Sequence, residues 1–277
     1  MDHWLTTADG TRLLTRAWAA QEPFTSLLVV HGIGEHSGRY EKLAQDLTHA
    51  GVSVFAYDHR GHGRSDGRRG HLRHFTDWLD DLERAVAWVR SQTPGAVFLL
   101  GHSLGGLITV HAVARQPTLC DGIILSSPAC GLAQPVPRWK QTLAVLASAV
   151  WPTLAFDRAH ADGAYLSHDP AISAAYLADP LVHFKVTARA YLAMRAALND
   201  VQRAASLVHL PALVLQAGDD HLVAAQATRA MAEALASTDK RLVWLDGWYH
   251  EVFNEVQRVQ VVEELVGWLK AHAQRAA

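Results

Sequence analysis

The stretch FLLGHSLGGLITV (Phe98–Val110) decides the fold. It joins an apolar run typical of a strand to an apolar run typical of a helix, and one serine, Ser103, stands between them. Gly101 and Gly105 lie two residues away on either side, so no side chain obstructs a sharp turn. The pattern predicts a strand, a tight turn and a helix. It places the Ser103 hydroxyl at a helix N-terminus, where free backbone N–H groups favour negative charge.

The chain around this stretch repeats the alternation of strand and helix. Short apolar runs predict strands, and amphipathic or apolar helical segments separate most of them. Continuous apolar strands that alternate with helices are typical of a parallel sheet covered on both faces, so we expect the α/β class. The strand candidates are TRLLTRAWA, SLLVVHG, VSVFAYD, AVFLLG, DGIILSSP, PALVLQAG and KRLVWLDG.

The alternation stops between residues 129 and 208. This part has apolar helical stretches, many alanines and scattered prolines, and no clear strand. A helical segment inserted between two strands of one sheet is most simply a cap over the carboxyl edge of that sheet, where open α/β sheets bind ligands. We therefore expect a core of residues 1–128 and 209–277 and a helical cap of residues 129–208.

A serine is a poor nucleophile without a base, so partners for Ser103 are expected further along the chain. In folds with this serine turn, an acid and then a histidine follow the nucleophile in sequence. Asp219 and Asp220 come directly after a predicted strand, and the residues alone leave the choice between them open. Elimination favours His250 as the base: His221 adjoins the candidate acids, and His272 lies deep in the last helix.

Such a site also needs two backbone donors for the oxyanion of the reaction. The N–H of Leu104, which follows the nucleophile, is the first. The second is expected from the loop HGIGEHSGRY (His31–Tyr40), whose glycines permit a close backbone approach, and Ile33 is the natural donor. We interpret His31 as a structural residue of this loop.

Seven motifs in order make the sequence resemble the monoacylglycerol lipase and bacterial lysophospholipase group of serine α/β-hydrolases. They cover nearly the whole chain and are HGIGEHSGRY, AYDHRGHGRSDG, GHSLGG, ILSSP, ADPL, PALVLQAGDDHLV and WYHEVFNE. The resemblance implies an α/β-hydrolase fold, because that is the fold of the group. In the group the acid is followed by one variable and two apolar residues, which fits Asp220 and not Asp219. The resemblance thus implies the triad Ser103, Asp220 and His250.

The resemblance also implies an esterase that cleaves lipid monoesters through an acyl-enzyme, without a metal or an organic cofactor. The cap matches the family least. Its segment WKQTLAVLASAVWPTLAF (Trp139–Phe156) carries no charge between Lys140 and its end. We expect it to line an acyl tunnel or to contact a lipid surface, and the alternative is that it only packs against other cap helices. The candidate substrate-binding residues are Leu143, Leu146, Val150 and Trp151.

Two other functions stay open at this point. The same frame suits a general carboxylesterase or a thioesterase for small acyl substrates. A ligand-binding receptor without turnover is disfavoured by the complete set of triad candidates. Epoxide hydrolases and dehalogenases are also disfavoured, because their nucleophile is an aspartate.

Composition narrows the remaining classes. A net charge of −2 and a pI near 6.8 argue against a nucleic-acid binder. The arginines of YDHRGHGRSDG have Asp58 and Asp66 among them, and the loop follows a strand away from the expected site, so we expect it to be structural. Two cysteines form no disulfide framework or metal set. The first residues lack a signal-peptide pattern, and no apolar run is long enough to span a membrane. We expect a cytoplasmic protein, with peripheral contact to the inner membrane surface, and the sequence leaves its oligomeric state open.

Overall fold

An eight-stranded sheet organises the computed structural model, which describes residues 2–157 and 163–276. Its strands follow the order β1-β2-β4-β3-β5-β6-β9-β10, and a separate two-stranded sheet pairs β7 with β8. The strands are β1 (Asp2–Thr6), β2 (Arg12–Trp18), β3 (Thr25–Val30), β4 (Val52–Tyr57), β5 (Val97–His102), β6 (Gly122–Ser126), β7 (Ala155–Asp157), β8 (Lys185–Thr187), β9 (Ala212–Ala217) and β10 (Lys240–Leu245).

The large sheet is parallel from β4 to β10 and antiparallel only where β1 and β2 join its edge. Every residue of β3, β4, β5, β6 and β9 is buried, which explains why these strands read as apolar runs without alternation. The strand β5 lies between β3 and β6, so the residue that follows it stands at the middle of the carboxyl edge. The expected α/β class with a mostly parallel sheet is confirmed.

Helices cover both faces of this sheet. They are α1 (Glu41–His49), α2 (Thr76–Gln92), α3 (Leu104–Arg115), α4 (Arg138–Val150), α5 (Pro170–Ala178), α6 (Ala188–Ala205), α7 (Ala225–Ala234) and α8 (Arg258–Ala276), with 3-10 turns at Ser37–Tyr40 and Val252–Asn254. Successive strand residues point to opposite faces. Accordingly, Leu28 of β3 packs in the core that includes α2, α3 and α6, whereas Leu27 packs in the core that includes α1 and α8.

The segment between β6 and β9 contains α4, α5, α6 and the short antiparallel pair β7 and β8. The expectation of no strand in this segment is wrong, because two strands of three residues give too little pattern to detect. Ala190, Ala197 and Val201 of α6 belong to the same hydrophobic core as α3, and His111 of α3 hydrogen-bonds the Ala197 carbonyl at 3.0 Å. We therefore propose that the cap is narrower than residues 129–208 and ends before α6.

Candidate active site

Ser103 occupies a strained turn between β5 and α3. Its φ of 52° and ψ of −118° lie in a region that residues other than glycine rarely adopt. Backbone hydrogen bonds hold it there: its N–H donates to the Ser126 carbonyl at 3.0 Å, and its carbonyl accepts from the N–H groups of Gly106, Leu107 and Ala129. A Cβ on Gly105 would overlap the Val30 carbonyl, so this turn requires a glycine at that position.

Asp220 and His250 form a buried pair. His250 Nδ1 lies 2.7 Å from Asp220 Oδ2, and the two side chains are 5% and 0% exposed. The other carboxylate oxygen, Oδ1, accepts from the backbone N–H groups of Leu222 and Val223, both at 2.9 Å. The neighbouring Asp219 is 56% exposed and pairs instead with His221 at 3.2 Å. The fold therefore presents Asp220, and not Asp219, to the imidazole.

This pair perturbs the pKa of each partner. Burial alone would raise the pKa of Asp220, but the adjacent imidazole and the two backbone donors lower it below its usual value. Burial alone would lower the pKa of His250, but the Asp220 carboxylate outweighs burial and raises it. Asp220 therefore stays ionised at neutral pH and stabilises a protonated His250.

Three loops meet at the carboxyl edge of the sheet: the turn at Ser103, the loop after β3 and the loop that contains His250. The ring of His102, which precedes Ser103, has its centroid 4.8 Å from that of His250. A Cβ built on Gly32 would lie 3.2 Å from the Cβ of Ser103. The loop after β3 therefore runs directly beside Ser103, and the His250 loop packs against His102.

The two expected oxyanion donors, Ile33 and Leu104, have backbone N–H groups that make no hydrogen bond within residues 2–157 and 163–276. The N–H of the preceding Gly32 is occupied, because it donates to Glu35 Oε1 at 2.6 Å. Leu104 is the first residue of α3, where N–H groups have no partner inside the helix. Both N–H groups are therefore available to donate a hydrogen bond to an oxygen atom bound at Ser103.

His31 and the loop YDHRGHGRSDG, which we expected to be structural, lie in a buried network. His31 is fully buried, its ring lies 4.0 Å from that of His59, and its Nε2 accepts from the His59 N–H at 2.9 Å. Arg60 forms two hydrogen bonds of 2.6 Å with the fully buried carboxylate of Asp81. These contacts use the polar atoms of the loop to fasten it to the core.

The four cap candidates lie on the outer face of α4 and just beyond its end. Leu143, Leu146, Val150 and Trp151 are all exposed, with Val150 at 88%, while Ala144 and Ser148 form the buried side of the helix. The alternative that these side chains only pack against other cap helices therefore loses support. None of the helices within the described residues is long and apolar enough to cross a membrane.

A buried group of charges beside the site was not singled out from the sequence. Glu35, Arg39 and Glu251 form ion pairs of 2.6–2.8 Å, and each side chain is at most 11% exposed. The sequence held one signal: Glu35 and Arg39 are four residues apart, a spacing that pairs opposite charges on a helical turn. No local sequence pattern links these two residues to Glu251, which is more than two hundred residues away.

No group of three or more His, Cys, Asp or Glu side chains among residues 2–157 and 163–276 is arranged to hold a metal ion. The two cysteines, Cys120 and Cys130, are buried, and burial raises the pKa of each thiol to about 12. Neither thiol is therefore a nucleophile at neutral pH.

Comparison with known proteins adds relatives along nearly the full chain. A family model, Hydrolase_4, described as "Serine aminopeptidase, S33", matches residues 21–257. A monoacylglycerol lipase of Mycolicibacterium smegmatis is 34% identical over 98% of this chain and 97% of its own. A monoglyceride lipase of Rattus norvegicus is 36% identical over 96% and 89%. The crystal structure of Paleococcus ferrophilus monoacylglycerol lipase aligns with a TM-score of 0.86 at 29% identity, over 94% and 99% of the two chains.

Proposed function

Because the chain belongs to the Hydrolase_4 family of serine α/β-hydrolases, we propose that it hydrolyses the carboxylic esters of lipid monoesters. The resemblance drawn from its motifs is thereby confirmed at the level of the family. We assign Ser103 as nucleophile, His250 as general base and Asp220 as the residue that orients the base. The observation that carries this assignment is the buried Asp220–His250 pair beside a serine on a strained turn.

The chemistry follows from these positions. His250 Nε2 takes the Ser103 proton while Oγ attacks the ester carbonyl, and the N–H groups of Ile33 and Leu104 hold the resulting oxyanion. Asp220 keeps the second imidazole proton on Nδ1, so that Nε2 is free to accept. The imidazolium then protonates the leaving alcohol, and a water molecule activated in the same way releases the acid from Ser103.

The choice of a lipid monoester over a small soluble ester rests on the relatives and on α4. The relatives reported above are named for monoacylglycerol and monoglyceride hydrolysis. The exposed apolar face of α4 adds a surface that soluble esters do not need. The alternative is a general carboxylesterase or a thioesterase for small acyl groups, which shares the same catalytic residues.

We further propose that α4 touches the surface of a membrane. Its exposed apolar side chains, together with Trp139 at its start, form a continuous apolar face, while Lys140 offers a cation to anionic headgroups. Exposed apolar patches with an adjacent positive charge are typical of helices that lie in the interface plane of a bilayer. Such contact would let a monoester pass from the bilayer to Ser103 without crossing water.

A series of glycerol monoesters tests the substrate class. Burial of each added CH₂ contributes about 0.8 kcal/mol, so kcat/KM should rise roughly fourfold per CH₂ until the acyl site is full. The matched thioesters, assayed in parallel, test the thioesterase alternative. A profile that is flat from acetate upward would replace the lipase assignment with a general carboxylesterase.

Two charge substitutions on α4 test the membrane contact. Leu146→Asp and Val150→Asp should weaken sedimentation with anionic liposomes and slow hydrolysis of long-chain monoesters, and leave a soluble short ester unaffected. Val259→Asp, at an exposed apolar position of α8, is the matched control and should change neither. If Leu146→Asp and Val150→Asp bound liposomes as strongly as the parent and Val259→Asp do, α4 would be excluded as the contact surface.

A further inference from the structure

The buried charges next to the triad join two loops that the reaction must hold in register. Arg39 Nη1 lies 2.8 Å from Glu35 Oε2 in the loop after β3, which also supplies Ile33. Arg39 also donates to both carboxylate oxygens of Glu251, at 2.6 and 2.8 Å. Glu251 directly follows His250. A single guanidinium therefore connects the loop of the oxyanion donors to the loop of the base.

Both ends of this connection are fixed by further contacts. Glu35 Oε1 accepts from the Gly32 N–H at 2.6 Å and from the Tyr40 hydroxyl at 2.8 Å. Glu251 Oε2 also accepts from the Asn254 side-chain amide at 2.8 Å. Two-point pairing of a guanidinium with a carboxylate restricts direction as well as distance, so each loop has one favoured position relative to the other.

An aromatic ring of the proposed cap contacts Arg39. The guanidinium carbon of Arg39 lies 4.7 Å from the ring centroid of Tyr176 in α5. A cation above an aromatic face is attracted by the electrons of the ring. The arginine that aligns the two catalytic loops is therefore also in contact with the cap.

The charges around His250 are predominantly negative. Asp220 approaches it from the loop after β9, Glu251 from its own loop and Glu35 from the loop after β3. His102 faces it from the turn after β5, and burial lowers the pKa of His102 to about 4, so this ring is neutral near pH 7. Arg39 neutralises only one of its two carboxylate partners, and a net negative charge remains buried near the imidazole.

We propose that Glu251 is a positioning residue for the reaction. Through Arg39 it anchors the His250 loop to the oxyanion loop, and its carboxylate stabilises the imidazolium that forms when His250 takes the Ser103 proton. This inference rests on the proposed function, because it requires His250 to be the base. It explains why two carboxylates are buried beside a triad that already has its own acid.

The substitution Glu251→Gln separates the charge from the shape of the side chain. Loss of a nearby negative charge should lower the pKa of His250, and we expect the acid limb of the kcat/KM profile to move to lower pH by roughly one unit. The same loss should reduce kcat for a soluble chromogenic ester about tenfold at the plateau, because one pKa unit corresponds to a tenfold change in equilibrium constant. Glu41→Gln, on the exposed side of α1, is the control and should leave the profile unchanged.

Active-site titration with a serine-directed phosphonate supplies the concentration of folded enzyme, so that kcat is counted per competent site. An acid limb of Glu251→Gln that coincides with the parent's would overturn the inference. If Glu251→Gln does not fold, Glu251→Asp decides. It keeps the charge but is too short to pair with Arg39 at both oxygens, so kcat should fall while the acid limb stays in place. A kcat equal to the parent's in Glu251→Asp would refute the positioning role.

The proposed function fails in a different way from this inference. If the parent does not hydrolyse the ester, or if His250→Ala retains its activity, the assignment of the base is wrong. If the parent is active and depends on His250 while the Glu251 variants behave as the parent does, only the role of Glu251 is wrong.

Discussion

Replacing Asp220 by asparagine should inactivate the enzyme while leaving its fold intact. Asp220 Oδ1 accepts two backbone N–H groups at 2.9 Å, and an asparagine must place its carbonyl oxygen there to keep them. Its NH₂ group then faces His250 Nδ1 across the 2.7 Å contact. Because the amide donates there, Nδ1 must accept, and the imidazole proton moves to Nε2. In that tautomer Nε2 cannot take the proton of Ser103.

The wrong tautomer costs about 10⁴ in kcat when it is imposed on a serine triad. At 1.36 kcal/mol for each factor of ten, this corresponds to about 5.4 kcal/mol of activation free energy. Turnover of a chromogenic ester, normalised to protein that shows the parent's circular dichroism and melting temperature, measures the loss. A fall in kcat of less than tenfold in folded Asp220→Asn would refute the reasoning.

Asp219→Asn is the matched control, because it makes the same chemical change one residue earlier. Asp219 is more than half exposed and its carboxylate pairs with His221, so its loss should change kcat less than about threefold. If Asp219→Asn lowered kcat more than Asp220→Asn does, Asp219 and not Asp220 would be the acid that orients the base.

Three further outcomes are expected. Ser103→Ala should lose ester hydrolysis by about 10⁶ and resist labelling by a serine-directed phosphonate, and retention of a tenth of the activity would exclude Ser103 as nucleophile. Arg60→Gln removes the positive charge that pairs with the buried Asp81 carboxylate, so urea titration should show a loss of about 3 kcal/mol or more in unfolding free energy. The kcat per active site should not change. The control Arg12→Gln breaks the exposed pair with Asp66 and should lower the unfolding free energy by less than about 1 kcal/mol. Burial lowers the pKa of His59 to about 4 from an ordinary 6.5, so the folded state binds fewer protons than the unfolded state between these values. Stability should therefore be complete above pH 6.5 and fall by about 1.4 kcal/mol per pH unit for each such histidine as pH decreases towards 4, and an unfolding free energy that stays constant over this window would contradict the assignment.

Much of the sheet was predictable because its central strands are buried on both faces. Seven of the eight strands of the large sheet match apolar runs in the sequence. The missed strand, β1 (Asp2–Thr6), lies at the edge of the sheet, is only five residues long and holds just two apolar residues, Trp4 and Leu5. The pair β7 and β8 was missed because three residues form no period. A local sequence pattern therefore identifies the longer strands of the sheet and misses strands of three to five residues with few apolar positions.

The bounds of the proposed cap could not be predicted from the sequence. The break in the strand–helix alternation suggested an insertion, but the helical pattern of α6 is the same whether the helix packs in the cap or in the core. Its contact with α3 depends on residues about ninety positions apart, such as His111 and Ala197. Which face of α4 would be exposed depended in the same way on the helix it packs against.

The sequence by itself determined the turn at Ser103, because that geometry depends on the steric freedom of Gly101 and Gly105 and on the apolar runs that flank them. It also indicated His250 and the two adjacent acids by their order along the chain, and the family resemblance favoured Asp220. Only the tertiary structure showed that the Asp220 carboxylate contacts the imidazole, that α4 turns its apolar side outward, and that Arg39 joins Glu35 to Glu251. These three features are contacts between residues far apart in sequence, and their energies depend on burial and distance, which no local pattern of residues records.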